Sequence, residues 1–246
     1  VWRCNWEIVM QIRGIIFDFD GTLADTLPVV VQAFQETFQK YTGRSFTREE
    51  IYRQFGPSEE GMVAWAVPDR SDEALADYVH RYRVIHREGA SLFPGVMAML
   101  KMLRDRGVLL AIVTGKGAQT AQISMEQLGL SPYFDHLVVG SPFGPNKPEG
   151  IREVLQAWGM PAVEAAYVGD MPYDMQAARE AGVTALGAGW APTATIQPGN
   201  ACASAVFDTV DRFLQWIEVH IPQREDVGGV NVSSTQPRLT DRGHCS

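Results

Sequence analysis

The sequence predicts an α/β fold: a parallel sheet with helices on both faces, and a small all-helical module inserted after the first strand. Three observations carry that prediction. From Gly14 onward, short apolar runs alternate with longer segments of helical period. Each of those helical segments ends at a glycine. Between Pro28 and Phe93 the alternation stops, and only helical patterns remain.

The apolar runs are "GIIFDF" (14–19), "VLLAIVTG" (108–115), "HLVVG" (136–140), "AAYVGD" (165–170) and "VTALGAG" (183–189). Their length and unbroken apolarity suit buried strands. Between them "VMAMLKMLRDRG" (96–107), "AQTAQISMEQLG" (118–129), "GIREVLQAWG" (150–159) and "YDMQAAREAG" (173–182) space apolar residues three and four apart. The closing glycines are the usual helix terminators. Strands alternating with helices build βαβ units, whose parallel sheet is buried on both faces. In such open sheets a ligand binds at the carboxyl ends of the strands. The insert reads as four helices, in "PVVVQAFQETFQKYTG", "TREEIYRQFG", "SEEGMVAWAV" and "SDEALADYVHRYRVIHREGA", with no strand. "LFPGV" (92–96) returns the chain to the core.

Boundaries follow: a core over 12–27 and 92–220 and a helical module over 28–91. Residues 1–11 read as an N-terminal extension in which Met10 makes a natural start, and 221–246, polar and without periodicity, as a disordered tail. With 246 residues, 46% of them hydrophobic, the chain can bury a core and a smaller domain. A net charge of -8 argues against a general nucleic-acid or anionic-membrane surface. It leaves room for a phosphorylated metabolite, if a metal and a few local cations line the site. Cys4, Cys202 and Cys245 lie far apart and read as incidental thiols of a reducing compartment. No apolar stretch approaches the roughly 20 residues of a membrane span. The N-terminus is too short and polar for a signal peptide, so a cytoplasmic location is expected. Oligomeric state has no signature.

Polar residues gather at the predicted strand ends. Asp18 and Asp20 close the first strand, Thr114 the second, and Asp170 follows "AAYVG". One such residue is more often a helix cap; several in one crevice make a site. Asp18 and Asp20 point to the same side of an extended strand. Burying two carboxylates together is unfavourable, so either a cation sits with them or one of them does chemistry.

"DFDGTLADT" (18–26), "TGK" (114–116), "NKPEG" (146–150) and "GDMPYD" (169–174) resemble, in order, the four motifs of the haloacid dehalogenase-like (HAD) hydrolase superfamily. The likeness is to its phosphoglycolate phosphatase-like branch with a helical cap, and it runs over residues 12 to 220. It implies a Rossmann-like core and a Mg²⁺-dependent phosphatase acting on a small phosphate ester. Asp18 is then the nucleophile that forms an aspartyl-phosphate, and Asp20 the acid and base for the leaving alcohol and the attacking water. The aspartate at position 20 fits phosphate-ester chemistry, since the carbon–halogen branch typically lacks it. Lys147, Thr114 and the Gly115 amide are expected to hold phosphoryl oxygens. Asp18, Asp170, Asp174 and the backbone carbonyl of Asp20 are the implied Mg²⁺ ligands, Asp174 through an indirect contact. The oxygen-only donors suit that ion. On this reading Mg²⁺ and Lys147 balance the two neighbouring carboxylates. Two alternatives share the motifs: a phosphoglucomutase-like transferase, for which no cluster of cap cations is seen, and an idle scaffold, which would have lost a site residue.

Met171 and Gly150 depart from the residues most common at their places in the motifs. In the insert, "FGPSEEG" (55–61) is the candidate specificity turn, with Gly56 and Pro57 at the entrance and Ser58 as a helix N-cap. The direction of Glu59 and Glu60 is open; facing the cavity, they would disfavour a polyanionic substrate. Lys116 is either a further specificity residue or a brace for its turn. His80, His86, His136, His220 and His244 read as surface or packing residues, and Trp65, Tyr78, Tyr82 and Trp158 as core or interface aromatics.

Overall fold

The computed structural model describes residues 12–221. The predicted N-terminal extension and the tail beyond Ile221, with Cys4, His244 and Cys245, lie outside them.

The first strand, β1 (Gly14–Phe17), is the middle of a six-stranded parallel sheet. Its neighbours are β4 (Leu109–Val113) and β6 (Ala165–Gly169), so that Ile15 pairs with Leu110 on one side and Ala166 on the other. The chain builds outward to β5 (His136–Val138), then crosses to the far side of β1 for β6, β7 (Thr184–Ala188) and β8 (Ala205–Phe207). That crossing makes a topological switch at β1, where the loops after β4 and β6 part and leave a crevice. The carboxyl ends of β1, β4 and β6 carry Asp18, Thr114 and Asp170 to the same place.

Alternate residues of the strands feed two cores, as a sheet buried on both faces requires. Ile15, Phe17, Leu110, Ile112 and Val168 face α5 (Val96–Asp105) and α9 (Val210–His220), where Leu100 and Phe213 are fully buried. Ile16, Ala111, Val113 and Tyr167 face α7 (Lys147–Trp158) and α8 (Pro172–Ala181). Pro148 lies in the first turn of α7, where its missing N–H has no partner to lose. Gly150 admits that helix against the sheet: a Cβ there would sit 2.8 Å from Val113 Cγ1 and 3.0 Å from Val138 Cγ1.

The insert holds α1 (Leu27–Thr42), α2 (Arg48–Tyr52), α3 (Glu59–Ala66) and α4 (Ser71–Gly89). Aromatic residues at helical spacing fill it, Phe34 stacking on Tyr78 with ring centroids 4.3 Å apart. The apolar cluster does not stop at the module, for it includes Ile123 of α6 (Ala118–Gln127). Polar contacts continue the seam between α4 and α6. Tyr82 Oη meets Ser124 Oγ at 2.8 Å, and His86 Nδ1 meets Gln127 Oε1 at 2.8 Å.

The structure corrects the sequence reading in several places. The stretch to Phe93 contains a strand after all: β3 (Ser91–Leu92) pairs antiparallel with β2 (Ala24–Asp25). Strands of two residues leave no period for a sequence to reveal, yet this ribbon ties together the two chain crossings between core and module. Likewise β8 and α9 were not read from the sequence. Trp65 is 51% exposed, lying edge-on to Phe38 and Phe46 at the module's surface. Among the described residues no helix is long and apolar enough to cross a membrane. Cys202 is free and half-buried.

Candidate active site

Asp18 leaves the end of β1 with its backbone N–H still paired to Val168 O, at 2.8 Å, so the strand geometry aims its side chain. Phe19 N–H donates to its Oδ1 at 2.7 Å, and Lys147 Nζ lies 2.6 Å from its Oδ2. The same ammonium is 2.5 Å from Asp174 Oδ1. Asp174, in the first turn of α8, is fully buried and also accepts the Met171 N–H at 2.9 Å. Met171 contributes this backbone donor while its side chain is exposed, so the departure at position 171 removes no contact seen here. Asp170 completes the group and accepts from Thr22 Oγ1 at 3.2 Å. Its carboxylate packs so closely on Gly21, whose φ is 79°, that a Cβ there would collide with it.

Carboxylate oxygens of Asp18, Asp170 and Asp174 lie within 4.8 Å of one another, all buried. Burial pushes the Asp18 carboxyl up to about 6, with Lys147 opposing and Asp174 adding to the rise. Asp170 is likewise raised well above the ordinary carboxylate range, by burial and then by Asp174 and Asp18. Lys147 is held charged: burial works against it, but Asp174 and Asp18 outweigh burial. Three buried carboxylates with one ammonium are short of positive charge. Their donors are all oxygen. That is the donor set of a hard divalent cation, and these residues can hold one.

Asp20 belongs to a different environment. Its carboxylate accepts a short bond from Thr26 Oγ1 and lies 3.0 and 3.2 Å from Lys116 Nζ. This corrects the expectation that Lys147 would balance both aspartates, for each has its own lysine. Of the two readings of Lys116, specificity residue or brace, the second is the nearer: its side chain is fully enclosed, with its ammonium 4.6 Å from the Tyr82 ring centroid. Burial disfavours the Lys116 charge, yet Asp20, Tyr82 and Glu59 raise its pKa overall.

Thr114 is buried, and its Oγ1 accepts the Lys116 N–H at 3.3 Å. A Cβ on Gly115 would meet no protein atom within 4 Å, so the backbone there faces open space. The close approach in this turn is made by Gly140, whose N–H donates to Lys116 O at 2.7 Å and whose missing Cβ would strike the Gly115 carbonyl. Gly56 and Pro57 are half-buried and seat on the loop after β5: Ser58 N–H donates to Ser141 O at 2.8 Å, and Pro145 Cδ is 3.8 Å from a Cβ built on Gly56. Ser58 occupies the N-cap position of α3 but makes no capping bond, since its hydroxyl donates to Glu60 Oε2 at 2.5 Å. A carboxylate is the stronger acceptor.

Sequence reasoning left Glu59 without a direction. The structure buries it in the seam, where it accepts the Gly117 N–H and, at 2.6 Å, the Thr120 hydroxyl. Tyr167 was also missed: from β6 it donates to Val113 O at 2.9 Å and lies under Lys147 at 6.0 Å. A tyrosine amid an otherwise aliphatic strand was the available signal.

The profile of a protein family described as haloacid dehalogenase-like hydrolase matches residues 15–188. A pyrophosphatase, PpaX, of Bacillus pumilus is 32% identical over 73% of this chain and 84% of its own length. A phosphoglycolate phosphatase of Rhodospirillum rubrum is 29% identical over 92% of this chain and 99% of its own. Among solved structures, a haloacid dehalogenase-like family hydrolase of Streptococcus pneumoniae superposes with a TM-score of 0.66 at 27% identity, covering 84% of this chain and 98% of that one. CbbY of Rhodobacter sphaeroides, solved with phosphate, gives a TM-score of 0.71 at 22% identity over 80% of this chain and 94% of its own, a likeness of fold.

Proposed function

The chain belongs to the haloacid dehalogenase-like hydrolase family and is a phosphatase, and from that premise we propose that it uses Mg²⁺ and an aspartyl-phosphate on Asp18 to hydrolyse a small phosphorylated metabolite. The observation that carries the reading is the surroundings of Asp18. It stands 2.6 Å from a buried ammonium, in a group of three buried carboxylates.

The Asp18 carboxylate attacks phosphorus, and the bond from phosphorus to the leaving oxygen breaks as Asp20 gives that oxygen a proton. Asp20 then takes a proton from a water that attacks the acyl phosphate, releasing phosphate and restoring Asp18. Lys147 offsets charge on the phosphoryl oxygens, and the Thr114 hydroxyl and Gly115 N–H bind one of them. Asp18, Asp170 and the Asp20 carbonyl, with Asp174 alongside, would hold Mg²⁺, whose charge supplies further stabilisation of the transferring group. The helical module acts as a cap that excludes water and, through the Gly56–Pro57 turn, meets the leaving group.

Hydrolysis is favoured over phosphoryl transfer to a second hydroxyl. The relatives at 29–32% identity are a pyrophosphatase and a phosphoglycolate phosphatase, both hydrolases. The cap's cations do not decide the matter: Lys40, Arg44, Arg70 and Arg81 pair with carboxylates of the same module, while Arg48, Arg53, Arg83 and Arg87 make no ion pair among the described residues. The relatives put pyrophosphate and phosphoglycolate at the head of the substrates to try, followed by sugar phosphates and nucleoside monophosphates. The test is phosphate release from that panel with and without Mg²⁺, for the parent and Asp18→Asn. Metal-dependent turnover lost in the variant is expected. Turnover that survives it would assign the nucleophile elsewhere, and interconversion of a sugar phosphate without phosphate release would favour the transferase.

A further inference from the structure

We propose that Glu59 is a positioning residue that couples the seating of the helical cap to the placement of Asp20, acting through Lys116. The inference rests on the reading of Asp20 as the acid that protonates the leaving oxygen.

Glu59 stands in the first turn of a cap helix, yet its carboxylate is spent wholly across the seam. It accepts from Gly117 N–H and Thr120 Oγ1, both at the start of α6, and its Oε1 is 3.9 Å from Lys116 Nζ. Lys116 in turn is closed in on every side: Asp20 from the core, Glu59 from α3, and the Tyr82 ring from α4. A fully buried ammonium is stable only while its compensating partners stay in place. The Phe19 ring, 6.0 Å away, adds a second core neighbour, so two of the four groups around Lys116 ride on the cap. Lifting the cap would take away Glu59 and Tyr82 together and leave Asp20 as the only charged partner. Asp20's other grip, Thr26, stands directly before α1, where the chain passes into the cap. Both side chains that fix Asp20 therefore adjoin the cap: Lys116 is held from it by Glu59 and Tyr82, and Thr26 stands at its entry. Asp18 is not so arranged, since Lys147, Asp170 and Asp174 all belong to the core.

A plainer role for Glu59 would be to cap α6 from a neighbouring helix. That role predicts a loss of stability and an equal loss of rate on every substrate. Positioning of an acid predicts a loss graded by how much the leaving group needs a proton. The measurement is kcat/KM on the best alkyl phosphate of the panel and on p-nitrophenyl phosphate, whose leaving group departs without protonation. It is made for the parent, Glu59→Gln, Glu59→Ala, Lys116→Met and Asp20→Asn, with a thermal midpoint for each.

Glu59→Gln and Lys116→Met are expected to lose about 10-fold or more on the alkyl ester, as a misplaced group does, and no more than about 2-fold on the aryl ester, which needs no acid. Glu59→Gln keeps an acceptor for Gly117 N–H and decides the matter if Glu59→Ala fails to fold. Equal losses on both esters in Glu59→Gln would overturn the proposal and leave a structural cap. Asp20→Asn separates the two levels. If it shows the graded loss and the Glu59 variants do not, only the coupling falls. If Asp20→Asn itself shows no grading, the assignment of Asp20 as the acid fails, and the coupling with it.

Discussion

Two buried lysines serve neighbouring aspartates, and their surroundings differ in kind. Lys147 is compensated by Asp18 and Asp174 and lies under Tyr167; these three come from the end of β1, the start of α8 and the middle of β6. Lys116 is compensated across the seam, by Asp20 on one side and Glu59 on the other. The first centre is complete within the sheet domain, held by the end of β1 and the starts of α7 and α8. The second is complete only while the helical module is docked, since Glu59 and Tyr82 come from it. On the proposed roles of Asp18 and Asp20, a site built half in each way keeps its nucleophile ready at all times and completes its proton-transfer apparatus when the cap is seated.

The largest expected effect falls on the first centre. Lys147→Met removes the cation facing Asp18 and should lower kcat by on the order of 10²–10³, for alkyl and aryl esters alike. A loss confined to alkyl esters would erase the distinction between the two lysines. Next comes pH and metal. Burial raises Asp18 from 3.8 to about 6, so the folded state binds this proton more tightly than the unfolded chain does. The contribution to stability is present below the unfolded value and is lost as pH rises through about 6. In metal-free protein Asp18→Asn should therefore be more stable than the parent above pH 6, by no more than about 3 kcal/mol, with the gap closing toward pH 4. Adding Mg²⁺ should raise the parent's thermal midpoint more than the variant's. A parent that is the more stable of the two at pH 7.5 without metal would contradict the electrostatic account.

Smaller effects sharpen the second centre. Gly140→Ala drives a Cβ into the Gly115 carbonyl and should cost about 1–3 kcal/mol, read by denaturant unfolding. It also shifts the turn that carries both Gly115 and Lys116, so KM should rise. Thr120→Val removes one donor to Glu59 and should cost about 1–3 kcal/mol. It should also increase proteolysis at the seam while leaving p-nitrophenyl phosphate turnover near the parent's.

Much of the first centre was legible in the sequence. Asp18, Asp170 and Asp174 stand at strand ends and a helix start that local periodicity locates, and β-strand pairing does the rest. The second centre was not. Glu59 and Gly117 are 58 residues apart, and Lys116 and Asp20 are 96 apart. Nothing local in "SEEG" says whether a glutamate caps its own helix, faces water or crosses a seam. Lys116 carried a motif signal, but its partners lay in other elements, so the sequence left its role open. The missed α9 did leave a trace. Thr209 caps it by accepting the Arg212 N–H at 3.2 Å, and Val210, Phe213 and Ile217 make its buried stripe. The strands β2, β3 and β8, of two or three residues each, exist by pairing alone.

The central claim is that Asp18 becomes phosphorylated. The direct measurement is to mix enzyme with the best substrate of the panel, quench in acid within the first turnovers, and map the phosphoryl group by peptide mass spectrometry. The account predicts an acid-stable, base-labile adduct on the peptide that carries Asp18, and none in Asp18→Asn. An adduct on another residue, or full turnover by Asp18→Asn, would contradict it.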